Sequence, residues 1–423
     1  MKKETDFDFE VETVKQFQDD DPFSRQKLLK DWDQDKVTKA RVLVVGAGAL
    51  GNEVLKNLAL IGVGRIFIVD FDKVSKSNLS RTILYRIEDS DKDKAKIAAT
   101  RTQELCVEPS AKVGYFSTNV VENLGSGFFS KFDIVIGCID NLEARLAISQ
   151  GCWLAGIPWV DGSISGHHGN VVIFKPFETF CFKCTMSRED EKSIEERFSC
   201  DKRRLRAISE KKIPTIQTLS SIIAGIQVQE AMRLIHKDYS MIGKRISYDG
   251  ARNQMETTTS NPLKEHNEFH GHGTYIGSYI EKLHQVSVNN TLETFLSATE
   301  LIGQNFEILF STRKGHDFIL YAHCKVCSNN FDVDLPRFRI FADQYNECPH
   351  CGATQPDNVI NPDDLVITFE PAPPLNQDNI SKKFLEMRLS DIGFAPLDII
   401  EIVHGGKFRF FELSADENIL FTN

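Results

Sequence analysis

The chain has 423 residues, and none of its apolar runs reaches the roughly 18 residues that a membrane-spanning helix needs. Its opening, MKKETDFDFE, carries two lysines but no apolar segment of the kind that drives secretion. These two absences predict a soluble, cytoplasmic protein with no membrane partner. Positive charge is also short: 50 Lys and Arg against 60 Asp and Glu leave a net charge of -10. A nucleic-acid backbone needs clustered cations, so a nucleic-acid partner is disfavoured. Proline and glycine, at 14 and 26, are too few for a collagenous or low-complexity chain, and no internal repeat is present. What remains is an ordinary globular composition, 41% hydrophobic and 26% charged, long enough for two or three domains.

Cysteine, by contrast, is plentiful. Six of the ten fall in C-x-x-C pairs: Cys181 with Cys184, Cys324 with Cys327, and Cys348 with Cys351. In a cytosolic protein this spacing points to metal or redox chemistry rather than disulfides, with zinc as the leading reading.

The first 20 residues are acidic and aperiodic and are expected to form a mobile arm. From Arg41 the sequence alternates short apolar strands with helical stretches: RVLVV, a helix through Ile61, RIFIVD, a helix from about Asp91 to Cys106, VGYF, DIVIG, a helix over Leu142 to Ala155, and PWV. That alternation predicts α/β architecture, a parallel, doubly wound Rossmann-like sheet. NVVIF and a long helix near Gln217 to His236 complete a region placed at 21–273. Beyond it, 274–423 reads as a β-rich domain. It contains FEILFS, DFILYAHC and LVITFE, a linker at PAPP, a short helix over Ile380 to Leu389, and a hairpin turning at Gly405 and Gly406.

GAGALG, from Gly46 to Gly51, lies between a strand and a helix and fits G-x-G-x-x-G. Gly46, Gly48 and Gly51 let the backbone approach a phosphate, and the helix start supplies free N–H groups. Asp70 follows Gly51 by 19 residues at the end of the next strand, where an acid binds ribose hydroxyls. Alone, these features favour an NAD-dependent oxidoreductase. VDFDKVSKSNLSR then adds Asp72, Asn78 and Arg81, and Lys94 follows in DKDKAK. Two cations and an amide suit a triphosphate better than a dinucleotide. Asp140, in GCIDN, sits where an open α/β sheet presents a ligand carboxylate and is a candidate for Mg²⁺. Asn141 beside it is either a ligand contact or a helix cap.

Taken in order, SRQKLL, GAGALG, DFDKVSKSNLSRT, KDKAK and CIDN resemble the ThiF/MoeB/HesA superfamily of adenylating enzymes, which includes the ubiquitin-activating enzymes. The resemblance covers about Phe23 to His270. It implies that Asp70 binds the ATP ribose, that Gly48 and Ala49 lie against the nucleotide, and that Arg81 and Lys94 hold phosphates beside Asn78. It further implies that Asp140 holds Mg²⁺ and that Arg25 reaches into the ATP site of a second copy in a homodimer. Thr82 departs from the family, which usually has Gln there.

The activity so implied is attack by the C-terminal carboxylate of a ubiquitin-like or sulfur-carrier protein on the α-phosphate of ATP. The nucleophile is already ionised at neutral pH, so positioning and cations carry the catalysis and no Ser-His-Asp arrangement is needed. In relatives, a loop cysteine in the interval after the first C-x-x-C takes up the acyl group as a thioester or forms a persulfide-linked adduct. Cys200, in ERFSCDKRRLR, is the candidate here, with Lys202, Arg203 and Arg204 favouring its thiolate. The P-x-C-T form of that cysteine is absent, since Pro214 is followed by Thr215.

Cys324, Cys327, Cys348 and Cys351, with 20 residues between the pairs, match a four-thiolate zinc ribbon. In MoeB-like relatives the first pair shares a zinc with a second C-x-x-C after a Y-D-x strand. Here His266 and His270 stand near that position, with His272 as a substitute, so Cys181, Cys184, His266 and His270 are expected as a second structural site. The β-rich domain is expected to recruit a partner, either the ubiquitin-like substrate or a conjugating enzyme. A non-catalytic dimeric scaffold is the other rival, disfavoured by the joint presence of Asp70, Arg81, Lys94 and Asp140.

Overall fold

The computed structural model describes residues 21–187, 216–259, 279–308, 318–336 and 380–415, with shorter stretches at 339–340, 345, 347–354, 366–371 and 375–376. The expected acidic arm, Cys200, and His266, His270 and His272 lie outside the described residues.

A short helix α1 (Gln34–Lys39) leads into β1 (Arg41–Val45), α2 (Ala49–Ile61), β2 (Arg65–Val69), α3 (Lys94–Leu105), β3 (Lys112–Phe116), β4 (Ile134–Gly137), α4 (Leu142–Ala155) and β5 (Trp159–Ser165). The order β3-β2-β1-β4-β5, all parallel, is the expected doubly wound sheet, reversing direction between β1 and β4. Buried strands explain the unbroken apolar runs: Val42 to Val45 and Ile66 to Val69 are at most 2% exposed. Helix stops are equally local. Gly62 and Gly156 follow α2 and α4 with φ of 92° and 69°, a left-handed conformation that ends the helix.

Beyond these five strands the sheet turns antiparallel, a direction that the alternation of strands and helices did not set. β6 (His168–Phe174) pairs antiparallel with β5, and after α5 (Gln217–Ile235) come β7 (Lys244–Asp249) and β8 (Gln254–Thr259), both antiparallel. The cause is the tight turn at Gly166 and His167. Two residues can reverse a strand but cannot carry it over to a parallel neighbour. The result is one eight-stranded mixed sheet with α5 packed on α2 and on β5 and β6.

Two smaller sheets follow. β9 (Ile280–Ser287), α6 (Leu292–Ala298), β10 (Phe306–Ile308), β11 (Phe318–Cys324), β12 (Asn330–Pro336), β13 (Ile367–Pro371), β14 (Leu375–Asn376), β15 (Ile399–His404) and β16 (Lys407–Ser414) form a five-stranded sheet, β14-β10-β15-β16-β9, and a three-stranded antiparallel sheet, β12-β11-β13. The β15–β16 hairpin turns at Gly405 and Gly406 as expected, both at positive φ. The single helix expected over Ile380 to Leu389 is instead two short ones, Lys382–Glu386 and Leu389–Ile392, because Met387 between them is extended. β11 joins two cores: Phe318 packs with Phe295, Phe411 and Ile402, while Ile319 faces Ala322, Val333 and Ile367.

The five-stranded sheet is seated on the segment before β4. Gly127 N–H donates to Leu397 C=O at 2.8 Å, and Ser126 N–H donates to the buried Asp398 Oδ1 at 3.2 Å. A Cβ at Gly127 would stand 2.6 Å from Leu397 C=O, and one at Gly125 would stand 2.3 Å from Pro396 C=O. Leu397, at φ 60°, pushes its side chain into the cluster around Phe128 and Phe129. Gly127→Ala should therefore destabilise this seat by about 1–3 kcal/mol, the usual cost of overpacking. Limited proteolysis should then cleave faster between the large sheet and the smaller ones, with a lower thermal midpoint. An unchanged cleavage rate would contradict the tight fit.

Candidate active site

The crevice lies where the sheet reverses, beyond the carboxyl ends of β1, β2 and β4, the place where open α/β sheets take ligands. Gly46 N–H bonds Val69 C=O and Cys138 N–H bonds Val45 C=O, both at 2.8 Å, so the three strand ends are knitted together. Two glycines are demanded by the loop itself. A Cβ at Gly46, which has φ 95°, would meet Cys138 C=O at 2.5 Å, and one at Gly51 would meet Gly46 C=O at 1.9 Å. Gly48 differs: among the described residues nothing lies within 4 Å of its would-be Cβ, so that side of the loop faces open space. Gly48 is also the N-cap of α2 and supplies no side-chain cap. By helix geometry the N–H groups of Ala49, Leu50 and Gly51 have no intrahelical acceptor, which leaves an anion-ready helix start beside that space.

Asp70 sits against this loop. Its Oδ2 accepts from Ala47 N–H at 2.7 Å and its Oδ1 from Asp72 N–H at 2.8 Å. Burial pushes its carboxyl above the ordinary range, while nearby Lys94 and the two N–H groups pull it back. Lys94 is the first residue of α3 and only 8% exposed, and its Nζ donates to Asp72 Oδ2 at 2.7 Å. The structure thus brings the glycine loop, Asp70, Asp72 and Lys94 into one bonded chain.

The other expected residues stand around it with local bonds. Asn78 Oδ1 accepts from Ser75 N–H at 2.9 Å, which leaves its Nδ2 as the donor available to a ligand. Arg81 Nη1 donates to Ser77 C=O at 2.7 Å, and Thr82 Oγ1 to Asn78 C=O at 2.9 Å. Asp140 is exposed just past β4. Asn141 caps α4, its Oδ1 accepting from Ala144 N–H at 2.8 Å. Arg25 is exposed at the start of a short 3-10 turn, next to Leu28 and Leu29, themselves 60% and 59% exposed.

Several buried polar residues escaped the sequence reading. Arg145 Nε bonds both Asp161 oxygens, at 3.0 and 3.2 Å, and its Nη2 donates to Ile139 C=O at 2.7 Å, directly before Asp140. Gln227 of α5 donates to Gly137 C=O at 2.8 Å. Burial raises the Asp161 carboxyl and the Arg145 charge opposes it, so the pair stays matched. Asn52 and Tyr85 lie beneath the glycine loop. The signal available for Arg145 was its place four residues after Asn141, one helical turn into α4; that for Asp161 was an acid at the end of an apolar strand.

The cysteines divide. Cys324, Cys327, Cys348 and Cys351 have ligand atoms within 4.8 Å of one another and could hold a metal ion. The Cys324–Cys351 and Cys327–Cys348 sulfurs are 3.8 and 3.7 Å apart. A tetrahedral zinc with Zn–S bonds of about 2.3 Å requires sulfurs about 3.8 Å apart, so the four thiols fit it. Backbone N–H groups of Cys327 and Val326 pull the Cys324 thiol down to about 6, favouring the thiolate that a metal binds. Cys181 and Cys184 sulfurs are 3.6 Å apart in the aromatic cluster with Phe174 and Phe180. Cys138 and Cys152 are buried and Cys106 is partly buried.

Residues 23–268 match the ThiF family. The chain belongs to that family. It is 28% identical over 232 residues to a molybdopterin-synthase adenylyltransferase of Salmonella typhimurium, covering 54% of this chain and 87% of the relative. Over 150 residues it is 35% identical to a SUMO-activating enzyme subunit 2 of Dictyostelium discoideum, covering 36% of this chain and 22% of the relative. Over 159 residues it is 36% identical to the NEDD8-activating enzyme E1 catalytic subunit of Arabidopsis thaliana, covering 34% of each. This ThiF chain therefore matches about a fifth to a third of the length of the two activating-enzyme relatives. Among the described residues no helix is long and apolar enough to cross a membrane.

Proposed function

We propose that this chain uses ATP to adenylate the C-terminal carboxylate of a ubiquitin-like or sulfur-carrier protein. The observation that carries the reading is the open space over Gly48, with Asp70 bonded to the adjacent Ala47 and the buried Lys94 tied to Asp70 through Asp72. The remaining lone pairs of Asp70 accept the ribose hydroxyls. The helix start beyond Gly48 takes phosphate oxygens, and Lys94 and Arg81 neutralise charge as it builds. A carboxylate oxygen of the substrate attacks the α-phosphorus, the bond from that phosphorus to the bridging oxygen breaks, and pyrophosphate leaves with the electron pair. No proton moves, which matches a site built of cations and backbone dipoles. Asp140, with Asn141 beside it, is the place for Mg²⁺, which would supply further charge neutralisation at the phosphates.

Cys200 takes the acyl group from the adenylate as a thioester, releasing AMP. Leu28 and Leu29, exposed beside Arg25, support a homodimer in which Arg25 enters the second copy's site. Residues 21–273 form the adenylation domain and 274–423 a β-rich domain around a zinc ribbon, and the latter recruits the substrate or a conjugating enzyme. Cys181 and Cys184 with His266 and His270 hold a second zinc, and both metals are structural because four protein ligands leave no open position. The cytoplasm is the compartment that suits these thiols.

Mass spectrometry tests the reaction. With ATP and a ubiquitin-like protein ending in Gly-Gly, the expected products are pyrophosphate, an acyl-adenylate and a reductant-sensitive adduct that Cys200→Ala lacks. Binding of NAD in preference to ATP would overturn the reading, and an adduct that survives Cys200→Ala would overturn the thioester alone.

A further inference from the structure

An anion-binding loop works only while its N–H dipoles face the anion and its carbonyls face away. Here the two carbonyls at the bend are held from behind by buried side chains. Asn52 Nδ2 donates to Ala47 C=O at 2.7 Å and to Gly48 C=O at 2.9 Å, and the Tyr85 hydroxyl donates to Ala47 C=O at 2.7 Å. Asn52 is fully buried and Tyr85 is 3% exposed, so neither is available to touch a ligand. The other end of the same residue is fixed too, since Ala47 N–H is taken by Asp70.

The same two side chains reach the cationic segments. Asn52 Oδ1 accepts from Leu84 N–H at 2.9 Å, three residues beyond Arg81, and the Tyr85 oxygen is 3.4 Å from Lys94 C=O. Burial and the nearby Asp70 charge push the Tyr85 phenol far above its ordinary range, so it remains a donor.

We infer that Asn52 and Tyr85 are positioning residues for the nucleotide phosphates. They lock the Ala47 and Gly48 carbonyls inward and brace the loop against the segments that carry Arg81 and Lys94. Without them the Ala47–Gly48 peptide is free to rotate and present a carbonyl oxygen to the phosphate, replacing attraction with repulsion. This inference rests on the ATP reading above and adds to it the groups that set phosphate affinity without contacting phosphate.

The test is calorimetric titration of the full chain and two variants with ATP and with adenosine. Tyr85→Phe, which removes one hydroxyl and no volume to speak of, should weaken ATP about threefold to tenfold, the range of one hydrogen bond, and leave adenosine within about twofold. Asn52→Ala, which removes three bonds, should weaken ATP further with the same selectivity. If it does not fold, Tyr85→Phe still decides the matter. A purely structural role would lower both affinities together, and that outcome, or an unchanged ratio of the two, overturns the inference. A wild-type chain that binds no ATP would instead overturn the adenylation reading on which the inference stands.

Discussion

Lys94→Ala should slow ATP–pyrophosphate exchange by about 10²- to 10³-fold, the usual cost of deleting one preorganised charge from a polar transition state. Lys94 is buried to 8% exposure by the packing of α3, whereas the side chain of its partner Asp72 is 49% exposed. Water can therefore solvate Asp72 when the ammonium turns to a phosphate, and the pair does not compete strongly with the ligand. For the same reason the loss in stability should be small, about 1 kcal/mol or less, as for other pairs with an open partner. Lys94→Arg should not restore exchange, because a wider planar guanidinium replaces a compact, nearly buried ammonium. The variant also has a pH signature. Burial raises the Asp70 carboxyl and Lys94 is the strongest influence lowering it. Removing Lys94 raises it further, so the residual exchange should fail at a higher pH on the acid side than in the wild type. Exchange within threefold of wild type, with an unmoved acid limb, would take Lys94 out of the phosphate site.

Metal loss should have the second large effect. Cys348→Ser should release one equivalent of zinc and unfold the three-stranded sheet, since structural zinc in small modules contributes about 10–16 kcal/mol and the cluster here has few apolar neighbours. ATP binding should survive, because none of the crevice residues comes from β11, β12 or β13. Metal analysis of the untreated chain then counts the sites: two equivalents fit both cysteine sets, one fits the four-thiol set alone. A metal-free chain as stable as the loaded one would make the cysteines a redox device instead.

The helices and strands around the crevice were readable because their signals are local. α2 and α4 each end at a glycine with positive φ, and the apolar runs of β1 and β2 are the direct imprint of burial on both faces. Of the antiparallel extension, NVVIF was readable as a strand but β8 was not. β8 is QMETTT, exposed along its whole length, and it carries no alternation to betray a strand. Site residues divide the same way. Asp70 and Lys94 stand in ordered motifs, while Asn52 and Tyr85 meet at the Ala47 carbonyl and Arg145 meets Asp161 in a buried ion pair, contacts that no spacing rule names. The four clustered cysteines sit between these cases: their spacing announces a cluster, while the fold alone brings Cys324 to Cys351 and Cys327 to Cys348.

The seat between the large sheet and the five-stranded one has a consequence for how the molecule is made. Ser126 meets Asp398 across 272 residues of chain, so this contact closes a long loop. A nascent chain completes β1, β2, β4 and the Asp140 loop long before Leu397 exists. The strands that frame the crevice are thus all synthesised before the residues of the five-stranded sheet that cover Gly127.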